Sequence, residues 1–322
     1  MNRLGLTVLT LVVLATVGAP WLAPNPPDRR FDALLYAPPT PIHLYDEDGL
    51  RAPFLRPLRV VSRLERQFRE ADDASTPLRW LSSQRLVTAD PDGGVPLLLL
   101  GADGFGRDTF SRLLHASQIT LALALVSMLG ATLVGALLGA VAGYAGGRLD
   151  DAVVKVSELM LVLPAIYVVL ALRAALPLVV PPATTFVALA SIFTLFGWPV
   201  MARGVRAIVR SERERDYVQA ARAMGAGPVR IVATHLVPAA AGHIASQATL
   251  LVPAFILAEA TMSYVGLGFP DGTPTWGTLL QDAANVALLG DAPWTLAPAA
   301  AIFLVVLAVN LVLRDVGRVP VQ

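Results

Sequence analysis

Few residues in this chain have types and spacings that could carry out chemistry. His235 and His243 are two helical turns apart, which is too far for them to share a metal ion. The chain has no Cys, which excludes thiolate ligands, cysteine nucleophiles and disulfides. It also lacks a His-Glu-x-x-His motif, paired aspartates in an apolar run and a Gly-x-x-x-x-Gly-Lys-Ser/Thr phosphate loop. We therefore predict no catalytic residue, no metal site and no cofactor bound by this chain.

One segment rich in Gly and Asp looks like a nucleotide-binding loop at first sight. Gly101, Gly104 and Gly106 are interspersed with Asp103 and are followed by Asp108. These residues directly precede a membrane span, on the side that the charge distribution below places outside the cell. We therefore reject nucleotide binding and predict a turn.

Glu259 is a further ionisable candidate because it closes an otherwise uncharged apolar run. An ionisable residue at membrane depth is a candidate functional group by default. Glu259 is therefore a candidate for contact with a substrate. The alternative is a position near the outer end of a span, where it would hydrogen-bond a neighbouring helix.

The composition indicates an integral membrane protein. The 322 residues are 55% hydrophobic and 15% charged, with a mean hydropathy of +0.61, whereas soluble domains carry about 25% charged residues. At about 20 residues per spanning helix, six spans fit this length and twelve do not. The net charge of +1 gives no indication of nucleic-acid binding, and the apolar content is too high for disorder.

Charge-poor runs predict six membrane-spanning helices. The first run, Leu4 to Pro27, could alternatively be a cleaved signal peptide. The second, 113–147, exceeds the thickness of a bilayer, so its first residues, 113–119, are expected to lie along the membrane surface. The other four spans are predicted near 152–172, 183–201, 231–258 and 292–313.

Small and cyclic residues within these runs predict how the spans pack and bend. Pro164, Pro199 and Pro253 lie inside spans or at their ends and are expected to kink them, with a gating hinge as the alternative. Glycines recur every four residues in the second span, and this spacing predicts a stripe against which a neighbouring helix packs closely. This stripe consists of Gly135, Gly139 and Gly143.

The distribution of Arg predicts the orientation. Seven Arg fall between residues 203 and 230, whereas the loop 267–291 contains no Arg or Lys. By the positive-inside rule the loops 144–152 and 203–235 are cytoplasmic, as is 314–322. We therefore predict a multi-pass protein of the bacterial cytoplasmic (inner) membrane with both termini in the cytoplasm.

Between the first two spans lies a soluble-looking insertion. It contains short runs of alternating apolar and polar residues, broken by turn signals such as those at 90–94. We predict a small β-containing extracytoplasmic insertion, with a partly ordered loop as the alternative. The chain is then divided into an N-terminal helix (1–27), the insertion (28–112), a five-helix transmembrane region (113–315) and a tail (316–322).

The 203–238 loop contains the most informative local pattern. Ser211 and Glu214 have the spacing of a capping box, which predicts a helix from Ser211 to about Met224. Gly225 is placed to end that helix in a left-handed conformation, and Gly227 followed by Pro predicts a second helix start. Two short helices joined by a tight turn are therefore expected.

The same loop resembles the EAA loop of ABC importer permeases. Gln219-Ala220-Ala221, three residues, Gly225, nine residues and then 235–238 (HLVP) reproduce its spacing, both Ala, the Gly and the Pro. Gln219 replaces the family's Glu, and His and Val replace Ile and Leu in the last quartet. An ordinary amphipathic connector with a Gly cap is the alternative.

Three further stretches resemble the dipeptide/oligopeptide C-type branch of these permeases. They are LGADGFGRDTFSRLL at 100–114, EATMSYVGLG at 259–268 with PTWG at 274–277, and residues 310–315. The Gly-Asp-Gly that is usual in the last stretch is missing. The resemblance covers roughly residues 95–315 and the first span.

This resemblance implies a fold, a role and a set of partners. The fold would be an all-α integral membrane protein with the six helices of a type I ABC importer permease. The partners would be a second permease subunit in a heterodimer, two ABC ATPase subunits that carry ATP and Mg²⁺, an extracytoplasmic substrate-binding protein and the lipid bilayer. The chain would form half of a path for peptides or a similar solute, with Glu259 as a candidate path residue.

The resemblance also implies that the helix of the 203–238 loop docks into a groove on the ATPase. Its contact residues would be Asp216, Tyr217, Gln219, Ala220, Ala221, Met224, Gly225 and Pro238, of which Tyr217, Ala220, Ala221 and Met224 are expected to share one face. A membrane-embedded enzyme and a membrane scaffold without a transport role are the alternatives. The first lacks a catalytic constellation, and the second leaves the Gly-Ala-Gly turn unexplained.

Overall fold

The structure is a computed structural model that describes residues 3–46, 49–63, 65–71, 74–82, 84–89, 94–175 and 180–316. Its α-helices in chain order are α1 (Arg3–Val17), α2 (Ala19–Leu22), α3 (Thr109–Ala145), α4 (Gly147–Val162), α5 (Ala165–Ala175), α6 (Pro182–Glu212), α7 (Asp216–Ala223), α8 (Pro228–Ile231), α9 (Val237–Ala239), α10 (Ala241–Tyr264), α11 (Trp276–Leu279), α12 (Val286–Asp291) and α13 (Ala297–Val316). A π-helical turn, Val232–Leu236, joins α8 to α9.

The insertion contains short antiparallel strands, which confirms the predicted β content. The strands are β1 (Ile42–Asp46), β2 (Gly49–Leu55), β3 (Leu58–Ser62), β4 (Gln67–Glu70), β5 (Thr76–Pro77), β6 (Arg79–Ser82) and β7 (Arg85–Thr88). They form a three-stranded sheet β1-β2-β5 and two hairpins, β3-β4 and β6-β7. Each sheet is small because turn residues interrupt the alternating pattern after a few positions.

The apolar helices match most of the predicted spans, but the count of six is not confirmed. In the described part of the chain, α3, α6, α10 and Pro293–Leu313 are each long and apolar enough to cross a membrane. A fifth candidate, α4 with α5, is bent by 79°. At 15 residues, α1 is shorter than the roughly 20 that a straight span needs.

The three prolines behave differently. Pro164 lies at the break between α4 and α5. A proline inside a helix removes a backbone donor and clashes with the preceding turn, which explains the break. Pro199 and Pro253 lie inside the continuous helices α6 and α10. The predicted interruption is therefore observed at Pro164.

The beginning of α3 differs from the expectation. Residues 113–119 do not form a separate surface segment, because α3 is continuous over 37 residues. Its first turns are held by side-chain bonds: Gln118 Nε2 donates to the Thr16 carbonyl at 2.9 Å, and the Trp276 amide donates to Thr120 Oγ1 at 3.1 Å. These contacts involve the first turns of α3, whose 37 residues are more than one membrane span needs.

Contacts group the chain into two units. The helical unit comprises Met1–Gly5, Leu121–Met262 and Val306–Gln322, and the insertion unit comprises Leu6–Thr120 and Ser263–Val305. Each unit has buried apolar residues of its own. The division into sequence segments made above remains a prediction.

In the helical unit, α6 lies close against the glycine stripe of α3. A Cβ added to Gly135 would lie 2.7 Å from the Trp198 carbonyl oxygen, and one added to Gly143 would lie 2.7 Å from the Arg206 carbonyl oxygen. At Gly139 the Ala202 carbonyl is closer still. Only residues without a side chain permit this distance between the two backbones.

Candidate functional site

The 203–238 loop begins later than its capping-box pattern predicts. Ser211 lies inside the last turn of α6, and α7 begins at Asp216 with Arg215 as an N-cap that makes no side-chain cap bond. The predicted start at Ser211 is therefore wrong. The reason is that Val205 and Val209, on the inner face of α6, are fully buried, so core packing extends that helix past the cap signal.

The turn after α7 forms as predicted. Gly225 has φ +82°, the left-handed region. The Ala226 amide donates to the Ala221 carbonyl at 3.0 Å, and the Gly225 amide donates to the Arg222 carbonyl at 2.9 Å. These are the two bonds of a Schellman motif. The next helix, α8, starts with Pro228 in its first turn, which confirms the predicted second start.

The two faces of α7 have opposite environments. Val218 is fully buried and Ala221 is nearly so, whereas Tyr217, Ala220 and Met224 are exposed. The expectation that Ala221 shares the face of the other three is wrong, because residues three apart lie on one side of a helix and Ala221 follows Val218 inward. Val218 was not among the predicted site residues. The sequence feature that could have indicated it is an apolar β-branched residue three positions before an Ala, on the same side of the helix.

Val218 connects α7 to the membrane helices. It belongs to a buried cluster within the helical unit to which α3, α6, α8 and the π-helical turn contribute. The other members are Ala140, Met201, Val205, Val209, Ile231, Leu236 and Ala240. Through this cluster α7 shares one packed core with α3 and α6.

Arginines of the loop also hold the end of α3. Arg213 Nη1 donates to the carbonyls of Gly143 and Tyr144, both at 3.2 Å. The Arg222 guanidinium lies 5.3 Å from the centre of the Tyr144 ring. The last carbonyls of a helix lack intrahelical partners, so Arg213 acts as a C-terminal cap.

A second ionic contact joins α6 to α4. Asp150, in the first turn of α4, forms an ion pair with Arg206, with Nη2 to Oδ2 at 2.7 Å, and Arg210 Nη1 lies 3.6 Å from the same carboxylate. Asp150 is 6% exposed. Arg215 Nε also lies 3.7 Å from Glu212 Oε1, so five of the seven arginines that predict orientation have contacts within the described part of the chain.

Tyr217 is held at the edge of the exposed face. Its hydroxyl donates to Glu212 Oε2 at 2.8 Å, and its ring lies edge-on to His235 at a centroid distance of 6.0 Å. Partial burial and then the Glu212 carboxylate raise the pKa of Tyr217. The hydroxyl therefore remains a neutral donor at neutral pH.

Three large apolar or aromatic side chains lie exposed around the turn. Met224 and Val229 are each 82% exposed, and Tyr217 is 44% exposed. We call these three residues the turn surface. Val229 was not predicted, and only its place after the Gly-Pro helix start could have indicated it. The other predicted contact residues lie exposed in the same loop: Asp216, Gln219, Ala220, Gly225 and Pro238.

The remaining ionisable candidates are enclosed. Glu259 is 1% exposed within α10, so its carboxylate is enclosed by residues of this chain. Its role in a path stays a prediction. In the part of the chain that the structure describes, no three His, Asp or Glu side chains are grouped so that they could hold a metal ion.

The Gly- and Asp-rich segment before α3 forms the predicted turn. Gly101 and Gly106 both have φ +70°, and the Gly106 amide donates to the Asp103 carbonyl at 3.0 Å. The Asp103 carboxylate accepts from Arg107 Nε at 2.7 Å and lies 3.4 Å from Arg112 Nε. The Asp103 carboxylate thus has two guanidinium groups as counter-charges inside the insertion unit.

Asp108 is a fully buried carboxylate at the start of α3. It accepts from Ser111 Oγ at 2.5 Å, from Asn25 Nδ2 at 2.9 Å and from the Phe110 amide at 3.1 Å. Burial raises the pKa of Asp108 to about 6, although these hydrogen bonds oppose the rise. The residue thus caps α3 and ties it to the chain after α2.

The raised pKa of Asp108 predicts a pH dependence. The folded state holds the proton more tightly than the unfolded state, so this contribution to stability is present below about pH 4 and is lost as the pH rises to 6. The unfolding temperature in detergent is expected to fall between pH 4.5 and 7, and less so in Asp108→Asn. Asp32→Asn, at an exposed carboxylate, is the control. Equal pH profiles for wild type and Asp108→Asn would contradict the assignment.

Comparison with known proteins gives concordant matches. Residues 135–316 match the family described as "Binding-protein-dependent transport system inner membrane component". The chain is 31% identical over 315 residues to the di/tripeptide transport system permease protein DppC of Pseudomonas aeruginosa, covering 97% of this chain and 85% of that protein. It is 37% identical over 220 residues to a putative peptide permease protein of Brucella ovis, covering 67% and 70%.

A solved structure is also similar. The MetNI methionine ABC transporter in an inward-facing conformation matches with a TM-score of 0.48 and 20% identity. The match covers 64% of this chain and 97% of that one.

Proposed function

Because the chain belongs to the family of binding-protein-dependent transport system inner membrane components, we propose that it forms half of the translocation path for peptides. It is a permease subunit of an ABC importer, a transport subunit and not an enzyme. Its fold class is that of the type I importer permeases, mostly helical with a small β region. The names of its relatives, which include di/tripeptide and oligopeptide permeases, support peptides as substrate.

The proposed assembly has a second permease subunit, two ATPase subunits that hold ATP and Mg²⁺, and an extracytoplasmic binding protein. The 203–238 loop and both termini then lie in the cytoplasm, and the insertion lies outside. The Arg-rich composition of that loop supports this orientation. The chain itself binds no cofactor and no nucleic acid in this proposal.

The observation that carries the ATPase-coupling role is the two-sided environment of α7. One side is anchored through Val218 in the cluster shared by α3 and α6, and the other presents the turn surface. An apolar surface of this kind on a short helix suits a groove in another protein. When the ATPase pair closes, it displaces the turn surface. Val218 transmits this displacement to the membrane helices, which then alternate between inward and outward access.

Val218 and Val229 allow the two sides to be tested separately. Val218→Ala removes two buried methyl groups and is expected to lower the free energy of unfolding by about 2 kcal/mol. Val229→Ala is expected to leave stability unchanged and to weaken binding of the ATPase subunits by roughly tenfold. Thermal unfolding of the permease in detergent and titration with purified ATPase subunits measure these two effects.

Val286→Ala is the matched control, because Val286 is 78% exposed and lies in the insertion unit. It is expected to change neither stability nor ATPase binding. If the Tyr217→Ala, Met224→Ala and Val229→Ala variants all bound the ATPase as wild type does, the turn surface would not be the docking site.

A further inference from the structure

Helix α4 of the helical unit buries polar residues instead of apolar ones. The structure describes all of its residues, and the two that are buried are Asp150 and Ser157. They are seven residues apart and therefore lie on one face of the helix. Ser157 Oγ donates to the Val154 carbonyl within α4 itself, whereas Asp150 pairs with Arg206 of α6. The enclosed side-chain contact that ties α4 to α6 is therefore the ion pair.

Three arginines on one side of α6 hold the place where α3 ends and α4 begins. Arg206, Arg210 and Arg213 follow one another at intervals of four and three residues, which places them on one helix face. The first two contact the Asp150 carboxylate, and the third donates to the last carbonyls of α3. We call residues 143–150 the α3–α4 corner. One face of α6 thus contacts both sides of this corner.

The link inside the corner leaves the direction of α4 open. It consists of Gly146 and Gly147, which have φ +66° and φ +58°. Glycine adopts this left-handed region without steric cost and has more backbone freedom than any other residue. No heavy atom lies within 4 Å of a Cβ added to Gly147. Neither the backbone preference of the link nor packing at Gly147 fixes the direction of α4, so its contact with α6 has to do so.

The geometry of the ion pair suits that task. Arg206 donates through Nε and Nη2 to the two carboxylate oxygens of Asp150. A bidentate pair of this kind has a defined orientation as well as a strong attraction. Because Asp150 is buried, salt screens the attraction less than at a surface, and separation would leave a buried charge without its partner. The pair therefore favours one orientation of α4 against α6.

We propose that Asp150 is a positioning residue for the coupling step, which makes α4 follow α6 while Gly146 and Gly147 act as the hinge. The proposal rests on the proposed function, in which closure of the ATPase pair displaces α7. Val209 of α6 belongs to the same buried cluster as Val218 of α7, so this displacement reaches the part of α6 that holds the corner. Helix α4 then changes its direction relative to α3 and moves the bent pair that it forms with α5.

The first test measures the distance between α3 and α4 in the complete importer in nanodiscs. The chain has no Cys, so cysteines introduced at Leu129 of α3 and Val156 of α4, both exposed, carry spin labels once cysteines of the other subunits are removed. Electron–electron resonance then compares nucleotide-free with vanadate-trapped complexes. We expect the distance to shift between these states with Asp150 present, and the shift to be lost in Asp150→Asn.

The second test asks whether the two charges act as a pair. Asp150→Asn and Arg206→Gln should each lose most of the uptake of a labelled dipeptide per ATP hydrolysed, while ATP hydrolysis continues. The double variant should be no worse than either single variant, because each one already removes the same contact. Asp151→Asn is the matched control, since it removes the neighbouring, exposed carboxylate and should preserve coupling.

Arg206→Lys replaces Asp150→Asn if the latter does not assemble, because Lys keeps the charge and loses the bidentate geometry. Equal distance shifts in wild type and variant would overturn the proposal. So would a lower unfolding temperature with unchanged uptake per ATP, since the pair would then only stabilise the fold. A wild-type complex that takes up no dipeptide with ATP would instead overturn the proposed function.

Discussion

Replacement of Gly225 by Val is expected to uncouple ATP hydrolysis from uptake. Gly225 has φ +82° and makes one of the two bonds that close the turn after α7. A left-handed conformation costs an ordinary residue about 1–2 kcal/mol, and more for a β-branched residue. The turn would therefore rearrange and move Met224 and Val229 relative to each other. The ratio of solute taken up to ATP hydrolysed should therefore fall well below that of the wild type.

The same turn contains a matched control glycine. Gly227 has φ −71° and, like Gly225, has no atom within 4 Å of an added Cβ. Gly227→Val therefore adds the same side chain without strain and should preserve coupling. Gly225→Asn should have an intermediate effect because Asn tolerates the left-handed region. Reconstituted complexes with normal uptake and ATPase activity in Gly225→Val would show that this turn does not couple the two.

The second large effect is expected at Gly139, where α3 and α6 are closest. An added Cβ would collide with the Ala202 carbonyl and lie 3.0 Å from both Ala202 Cα and Val205 Cβ. Two of these atoms are backbone and cannot rotate away, so Gly139→Val must separate the helices. Overpacking of this kind costs about 1–3 kcal/mol or more. The unfolding temperature in detergent should fall by several degrees.

Gly242 provides the control for the effect of adding a side chain at a helical glycine. It lies in α10, and no heavy atom lies within 4 Å of an added Cβ. Gly242→Val inserts the same side chain in a helix without a collision and should leave the unfolding temperature near that of wild type. A loss of stability as large for Gly242→Val as for Gly139→Val would contradict the close-packing assignment.

The predictions from sequence succeed where the physical cause is local. The stop at Gly225 and the new start at Pro228 are decided by the backbone preferences of the residues themselves. The turn before α3 and the short strands of the insertion have the same origin. The pattern from Gln219 to Pro238 is likewise contained in one loop, which is why the family could be identified from the sequence.

The predictions fail where distant residues compete with a local signal. The capping-box signal at Ser211 is overridden because α6 buries Val205 and Val209. The apolar run after Arg112 shows no break, since the first turns of α3 are bonded to Thr16 and to the segment near Trp276. In both cases tertiary contacts extend a helix beyond the point that its own residues indicate.

The sequence by itself determined the membrane character of this protein, its basic loop, the glycine stripe and the turn after α7. Composition and short-range backbone preference suffice for these features. The tertiary structure decided that Val218 and Ala221 face inward, that Arg206 pairs with Asp150, and that Arg59 lies opposite Arg69. Burial, ion pairing and strand register depend on which residues the fold brings together, and spacing along the chain does not specify them.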